Sequence, residues 1–307
     1  MGPTPGILGL GVVAVDDILH VGRYPPPDAK EPVQRRERQC GGLTATSLVA
    51  AARLGSRCSY AGILGREELS LFVERRFQEE GIDLSLAVRQ DGAAPVHSTI
   101  IVDTGRKTRN IFFFIGGISG AHAELPSAET IRSARILLVD HFGMDGMIRA
   151  ARIAREAGVP VVADLERDNV PRFGELLALV DHLVLSRDFA GRLTGKDDPA
   201  EAALALWAGD RDTVIVTAGA EGSWRIHRDD PLRAVHQTAF PVEAVDTTGC
   251  GDVFHGAYAS ALDRGLAVAE RVRFASAAAA LKALRPGGQA GIPDRAAVER
   301  FLQERAR

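Results

Sequence analysis

The 307-residue chain is short of several features that would define a protein's class at once. It has only three cysteines, Cys40, Cys58 and Cys250, and none in a CxxC spacing. That excludes a disulfide-stapled scaffold and leads us to expect free thiols in the cytoplasm. Neither charge is in surplus: 37 Lys and Arg face 40 Asp and Glu, a formal net charge of −3. Without a basic excess the chain lacks the footprint of a general nucleic-acid or membrane-surface binder, and neither partner is expected. Lysine is scarce, with only Lys30, Lys107, Lys196 and Lys282, so arginine supplies the other 33 cations. No uncharged apolar window reaches 18 residues, because Lys282 interrupts the Ala-rich run near Phe274 to Leu284. The opening MGPTPGILGL has no basic segment before its apolar stretch, so it does not read as a signal peptide. The eight histidines show no metal-binding spacing such as HExxH.

What is present describes an ordinary folded chain, with 46% hydrophobic and 25% charged residues. Ile7 to Val15 is a short apolar run that reads as a buried strand and ends at Asp16 and Asp17. Three prolines, Pro25 to Pro27, then hold the chain extended. The Ala-rich stretch Thr44 to Leu54 reads as a helix stopped by Gly55. A strand near Ser59 to Leu64 and a helix from about Glu67 to Glu80 follow. Val96 to Val102 and Asn110 to Ile115 flank the turn-like Asp103-Thr104-Gly105 and read as a hairpin. From Arg135 onward, apolar strands alternate with helical segments, the pattern of a mostly parallel sheet covered on both faces. The expected architecture is one α/β domain over residues 1–307, doubly wound and flanked by helices. A small β-sheet lid would come from the segments at about 17–40 and 94–116.

The stretch most able to carry chemistry is DTTGCGDVFHGAY, Asp246 to Tyr258. Gly249 and Gly251 stand just before an apolar helical run, where backbone N–H groups converge into an anion site. Asp252 would open that helix. A carboxylate beside an anion pocket makes sense if it takes a proton from a hydroxyl that attacks phosphorus. An Asp N-cap on a glycine-rich turn fits the same residues.

The string is similar to DTTGAGDxFxGA, a signature of the ribokinase-like (PfkB) carbohydrate kinases, and differs only at Cys250, where that family usually has Ala. GGLTATSLVAAARLG, Gly41 to Gly55, resembles the family's second signature, and Thr217 to Gly222 matches its TxGxxG element. The C-terminal stretch looks most like the sulfofructose-kinase branch. The resemblance implies a ribokinase-like fold and an ATP- and Mg2+-dependent sugar kinase. Asp252 would be the base, and the Gly249, Cys250 and Gly251 amides the anion hole. Asp16, Gly41, Gly42 and Thr46 would meet the sugar, and Thr217, Gly219 and Gly222 the ATP phosphates. Asp246 and Thr248, with the loop Arg285 to Gly291, match a monovalent-cation (K+) region. The family's NxxE element is replaced by Ser186-Arg187-Asp188-Phe189, which leaves Asp188 as the Mg-linked candidate. Two positions that are Asn in ribokinase align with Ala14 and Thr46, which disfavours ribose; the expected acceptor under the resemblance is a primary hydroxyl of a ketohexose or related sugar. A nucleoside kinase and a non-catalytic sugar or nucleotide sensor are the alternatives. Phe112 and Phe114 share a strand face that could stack on a ring, and Arg106, Lys107 and Arg109 fall at the hairpin tip. Lid strands of this family pair between subunits, so a homodimer through the lid is a further expectation.

Overall fold

The computed structural model describes residues 5–106 and 108–305; Lys107 lies outside the described residues. Its first half runs β1 (Ile7–Gly9), β2 (Ala14–Val21), β3 (Val33–Gly41), α1 (Leu43–Arg53), β4 (Cys58–Tyr60), β5 (Ile63–Leu64), α2 (Glu68–Glu79), β6 (Val88–Arg89), β7 (Val96–Asp103), β8 (Thr108–Phe114), α3 (Ala128–Ser133), β9 (Ile136–Val139) and α4 (Met144–Glu156). The second half adds β10 (Val161–Asp164), α5 (Phe173–Ala178), β11 (His182–Ser186), α6 (Arg187–Thr194), α7 (Pro199–Ala205), β12 (Thr213–Thr217), β13 (Ser223–His227), β14 (Asp230–Gln237), α8 (Cys250–Asp263), α9 (Val268–Ala283) and α10 (Arg295–Glu304).

Eight strands form the main sheet in the order β14-β13-β12-β11-β10-β9-β1-β4. Six are parallel, and the β13–β14 hairpin adds an antiparallel edge. The central strands are continuous apolar runs such as ILLV in β9, as strands covered on both faces must be. Alternate side chains of one strand enter opposite cores. Leu138 packs with residues of α1, α8 and α9, whereas Leu137 and Val139 pack with α4 and α5. The chain moves from β1 outward to β4, then returns to β9 and continues the other way. The strand order therefore reverses between β1 and β9, where a crevice opens beyond the carboxyl ends.

A second sheet, β3-β2-β7-β8, stands apart from the first. Only β2 and β7 are parallel in it. Its strands fall close to the segments expected for the lid, although β2 begins earlier, at Ala14.

Two expected strands prove to be divided. Ile7 to Val15 belongs to β1 and β2, in different sheets, and the cause is Gly11. A Cβ there would lie 1.9 Å from Asp140 Oδ2 and 2.0 Å from Thr44 Oγ1, so the chain turns where only glycine fits. Asp140 fixes the turn by accepting the Val12 amide at 2.6 Å and the Thr44 hydroxyl at 2.9 Å. Asp16 therefore sits inside β2 of the small sheet rather than past the end of the first strand. Similarly, Ser59 to Leu64 divides into β4 and β5.

Candidate active site

The catalytic candidates meet at the carboxyl ends of the main sheet. Helix α8 starts at Cys250 with Gly249 as its N-cap at φ 75°, a left-handed conformation suited to glycine. Asp252 lies in the first turn and makes no side-chain cap, so both the expected helix start and the capping role are corrected. The Cys250 amide donates to the Thr247 carbonyl at 3.2 Å, closing the turn. Among the described residues the Gly251 amide has no backbone acceptor, and open space surrounds its α-carbon. At the start of α8 it is thus the Gly251 amide that is free of a backbone acceptor and faces open space. The Cys250 sulfur contacts the Ala279 carbonyl at 3.6 Å, and burial pushes its thiol pKa up, the signature of a filler rather than a nucleophile.

Asp252 faces an acidic group that sequence reading missed. Asp164, the last residue of β10, is buried, and one of its carboxylate oxygens has no hydrogen-bond partner. Burial raises the pKa of both Asp164 and Asp252 well above the ordinary value; the charges of Glu166 and Asp140 add to it at Asp164, and those of Asp164 and Glu166 at Asp252. His255 packs beneath, its Nδ1 2.9 Å from the Gly251 carbonyl and 3.3 Å from Asp164. Its Nε2 lies 2.9 Å from the Val184 carbonyl, so the ring ties α8 to β10 and β11. The signal was present in the sequence: apolar strands ending in a carboxylate, as in ILLVD and VVAD.

On one side of Gly251 opens a cavity of about 800 Å3. Thr217, Gly219 and Gly222 line it together with Thr247, Cys250 and Gly251, so two separate motifs share one space. Gly222 stands at φ 99°, where a Cβ would come within 2.1 Å of the Gln237 carbonyl oxygen. Asp188, in the first turn of α6, is on the rim. Its neighbour Arg187 makes two short contacts, 2.5 and 2.6 Å, with Glu221 of the Thr217–Gly222 turn and so steadies it. The far wall is apolar, including Phe240, Pro241, Val242 and Ala280.

Asp16 is half-buried in the small sheet, and burial raises its pKa against a hydrogen bond from Ser98. Gly41 lies beside it, where a Cβ would approach Asp16 Oδ2 to 2.5 Å. Gly42, at φ 99°, caps α1 with no room for a side chain. Asp17 is a structural residue, held by Arg38 at 2.7 and 2.9 Å and by His97 at 2.9 Å, which lowers its pKa to about 2. Thr46 is 2% exposed and accepts from Gln289, so it anchors the Arg285–Gly291 loop instead of opening onto the crevice.

That loop is tied to the catalytic turn. The two Asp246 carboxylate oxygens accept the Thr248 and Gly287 amides, each at 2.8 Å. The Asp246 carbonyl accepts from the Lys282 ammonium at 2.9 Å. Arg109, expected at a solvated hairpin tip, reaches across to 3.7 Å from Asp246. No cluster of three or more His, Cys, Asp or Glu able to hold a metal occurs among the described residues. Likewise, no helix among them is long and apolar enough to cross a membrane.

Comparison with known proteins places this geometry in context. The family model described as pfkB family carbohydrate kinase matches residues 10–295. Ribokinase of Haemophilus influenzae is 27% identical over 307 residues, covering 96% of this chain and 97% of that protein. A putative ribokinase from Agrobacterium tumefaciens superposes with a TM-score of 0.91 at 31% identity, over 99% of this chain and 100% of the other. Arabidopsis thaliana ribokinase, solved with ribose and ATP, gives a TM-score of 0.85 at 25% identity, over 98% and 99% of the two chains.

Proposed function

Starting from the premise that the chain belongs to the pfkB family of carbohydrate kinases, we propose that it transfers the γ-phosphoryl group of ATP to a primary hydroxyl of a ketohexose or related sugar. The observation that carries the reading is the convergence on Gly251. On one side lies the cavity of about 800 Å3 shared with Thr217, Gly219 and Gly222, and one residue further along is a carboxylate, Asp252.

Asp252 accepts the proton of the attacking hydroxyl, whose oxygen then bonds to the γ-phosphorus as the bond to ADP breaks. The Gly251 amide and the N-terminal end of α8 stabilise the charge on the phosphoryl oxygens. Thr217, Gly219 and Gly222 bring backbone close to the nucleotide phosphates, and the apolar wall around Phe240 and Val242 suits the base. Asp16 and the close-packed Gly41 hold the sugar from the small-sheet side. Mg2+ fits this site, since it takes one or two carboxylates and otherwise phosphate oxygens and water; Asp188 on the cavity rim would serve. When bound, it offsets phosphate charge. Ala14 and Thr46 support a sugar other than ribose, because neither offers the amide that ribokinase has there. The small sheet supports a homodimer through its unpaired edge strand, β8, which is exposed along its whole length.

Sugar-dependent ADP formation across ketohexoses, sulfonated sugars, sugar acids and nucleosides tests the assignment. Asp252→Ala should abolish turnover of the accepted sugar and leave ADP binding within a few-fold of wild type. Near-normal turnover by that variant would overturn the role of Asp252. Turnover of nucleosides alone would move the acceptor to that class, and no turnover of any acceptor would favour a sensor.

A further inference from the structure

Among the described residues Lys282 is the largest ionisable side chain of basic type with no exposure at all. It sits in the last turn of α9, behind the catalytic turn, and among the described residues no carboxylate lies within ion-pair distance of it. A buried cation without a carboxylate partner is costly, so its surroundings must compensate. Here they do so with the backbone carbonyl of Asp246, 2.9 Å from the ammonium. Around that point two turns meet, the Asp246–Thr248 turn and the Arg285–Gly291 loop. Gly287 donates to the Asp246 carboxylate, and Gly288 donates to Gln39 of β3 at 3.1 Å.

A monovalent cation is the group that the family resemblance implies here. The donor set does not leave it free: both Asp246 carboxylate oxygens and the Asp246 carbonyl already accept hydrogen bonds from the chain itself. We propose that the Lys282 ammonium is a tethered cation that does the work of K+ in this protein. An ammonium and K+ carry the same charge and are close in size, so the carbonyl environment suited to one suits the other. Tethered through α9, the charge needs no binding from solution and is present at any salt composition. Held against the Asp246 carbonyl, four residues before α8 begins at Cys250, it adds to the helix dipole in favouring phosphate. Burial lowers the Lys282 pKa, and the neighbouring Asp246 charge opposes that effect. The role proposed for this charge rests on the kinase reading, but the presence of the tethered cation does not.

The test uses the full-length protein dialysed into tetramethylammonium chloride, with KCl added at constant ionic strength. Thermal midpoint and ADP affinity are measured, neither of which requires an acceptor sugar. For wild type, replacing tetramethylammonium by K+ should change ADP affinity by less than about twofold and leave the midpoint unmoved. Lys282→Ala should bind ADP about tenfold or more weakly in tetramethylammonium, and K+ or NH4+ should restore affinity and raise the midpoint. A K+-specific gain of about tenfold in wild type would overturn the proposal, as would a Lys282→Ala protein that matches wild type without K+. Should that variant not fold, crystals of wild type soaked in RbCl give the answer. An anomalous peak between Asp246 and the Arg285–Gly291 loop sinks the idea, and its absence supports it. Failure of sugar turnover with the cation results intact would remove the kinase reading and leave the tethered cation standing.

Discussion

Strand β9 reads Ile-Leu-Leu-Val and the end of β8 reads Ile-Phe-Phe-Phe, yet they lead opposite lives. The β9 residues are 0–1% exposed, whereas Ile111, Phe112, Phe113 and Phe114 are 50%, 53%, 53% and 70% exposed. Hydrophobicity is the same; the neighbours are not. Helices cover β9 on both faces, and β8 is the open edge of a four-stranded sheet, exposed along its length among the described residues. Burial therefore belongs to the tertiary environment of a strand and not to its letters. A uniformly apolar exposed strand in turn signals a surface made to be covered.

The contrast can be pressed at three points, the largest effect first. Leu138→Ala in β9 should destabilise the fold by about 2–5 kcal/mol, because its space is enclosed on all sides; urea denaturation measures it. A cost below about 1 kcal/mol would mean the core collapses around the gap.

The second point concerns histidine. His20 and His97 in the small sheet each face a carboxylate, at 2.8 and 2.9 Å, whereas His141 beyond the end of β9 is 6% exposed with neither ring nitrogen paired. Burial, aided by Arg167, lowers its pKa to about 4 from 6.5. The unfolded chain then binds the extra proton more readily, so stability falls as pH drops from 6.5 toward 4. The loss amounts to about 3 kcal/mol at most. His141→Phe should flatten that acid limb in a pH series of unfolding curves, and an unchanged limb would assign it elsewhere.

Smallest in stability is Phe113→Ala, expected to fall within about 0.5 kcal/mol of wild type. Arg167 lies over the Phe113 ring at 5.1 Å and joins the small sheet to the crevice. The substitution should therefore raise KM for the acceptor while leaving the unfolding curve in place. If instead it shifts the curve and spares KM, β8 belongs to the structural core of the small sheet.

The same contrast marks what could be read from sequence. The alternation after Arg135 and the three glycine motifs are local patterns, and the strands, helices and shared cavity follow them closely. What escaped was set by distant partners. Gly11 looks like any glycine in an apolar run until Asp140 and Thr44, 129 and 33 positions away by sequence number, close around it. Asp164 reads as a strand-end aspartate until α8 brings Asp252 to it. Lys282 registered only as the charge that interrupts an apolar stretch, since nothing in the letters of α9 says which way its last turn faces.

Gly11 and Gly42 stand on two strands of chain that pass between the sheets, and at both a Cβ would strike other atoms at less than 3 Å. Glycine at such a junction usually suggests slack; here it means there is no clearance. The seam thus has no room for one added carbon, unlike Gly251 in the catalytic turn, where the space is open. Anyone redesigning the small sheet for another acceptor must carry its two glycine roots over unaltered.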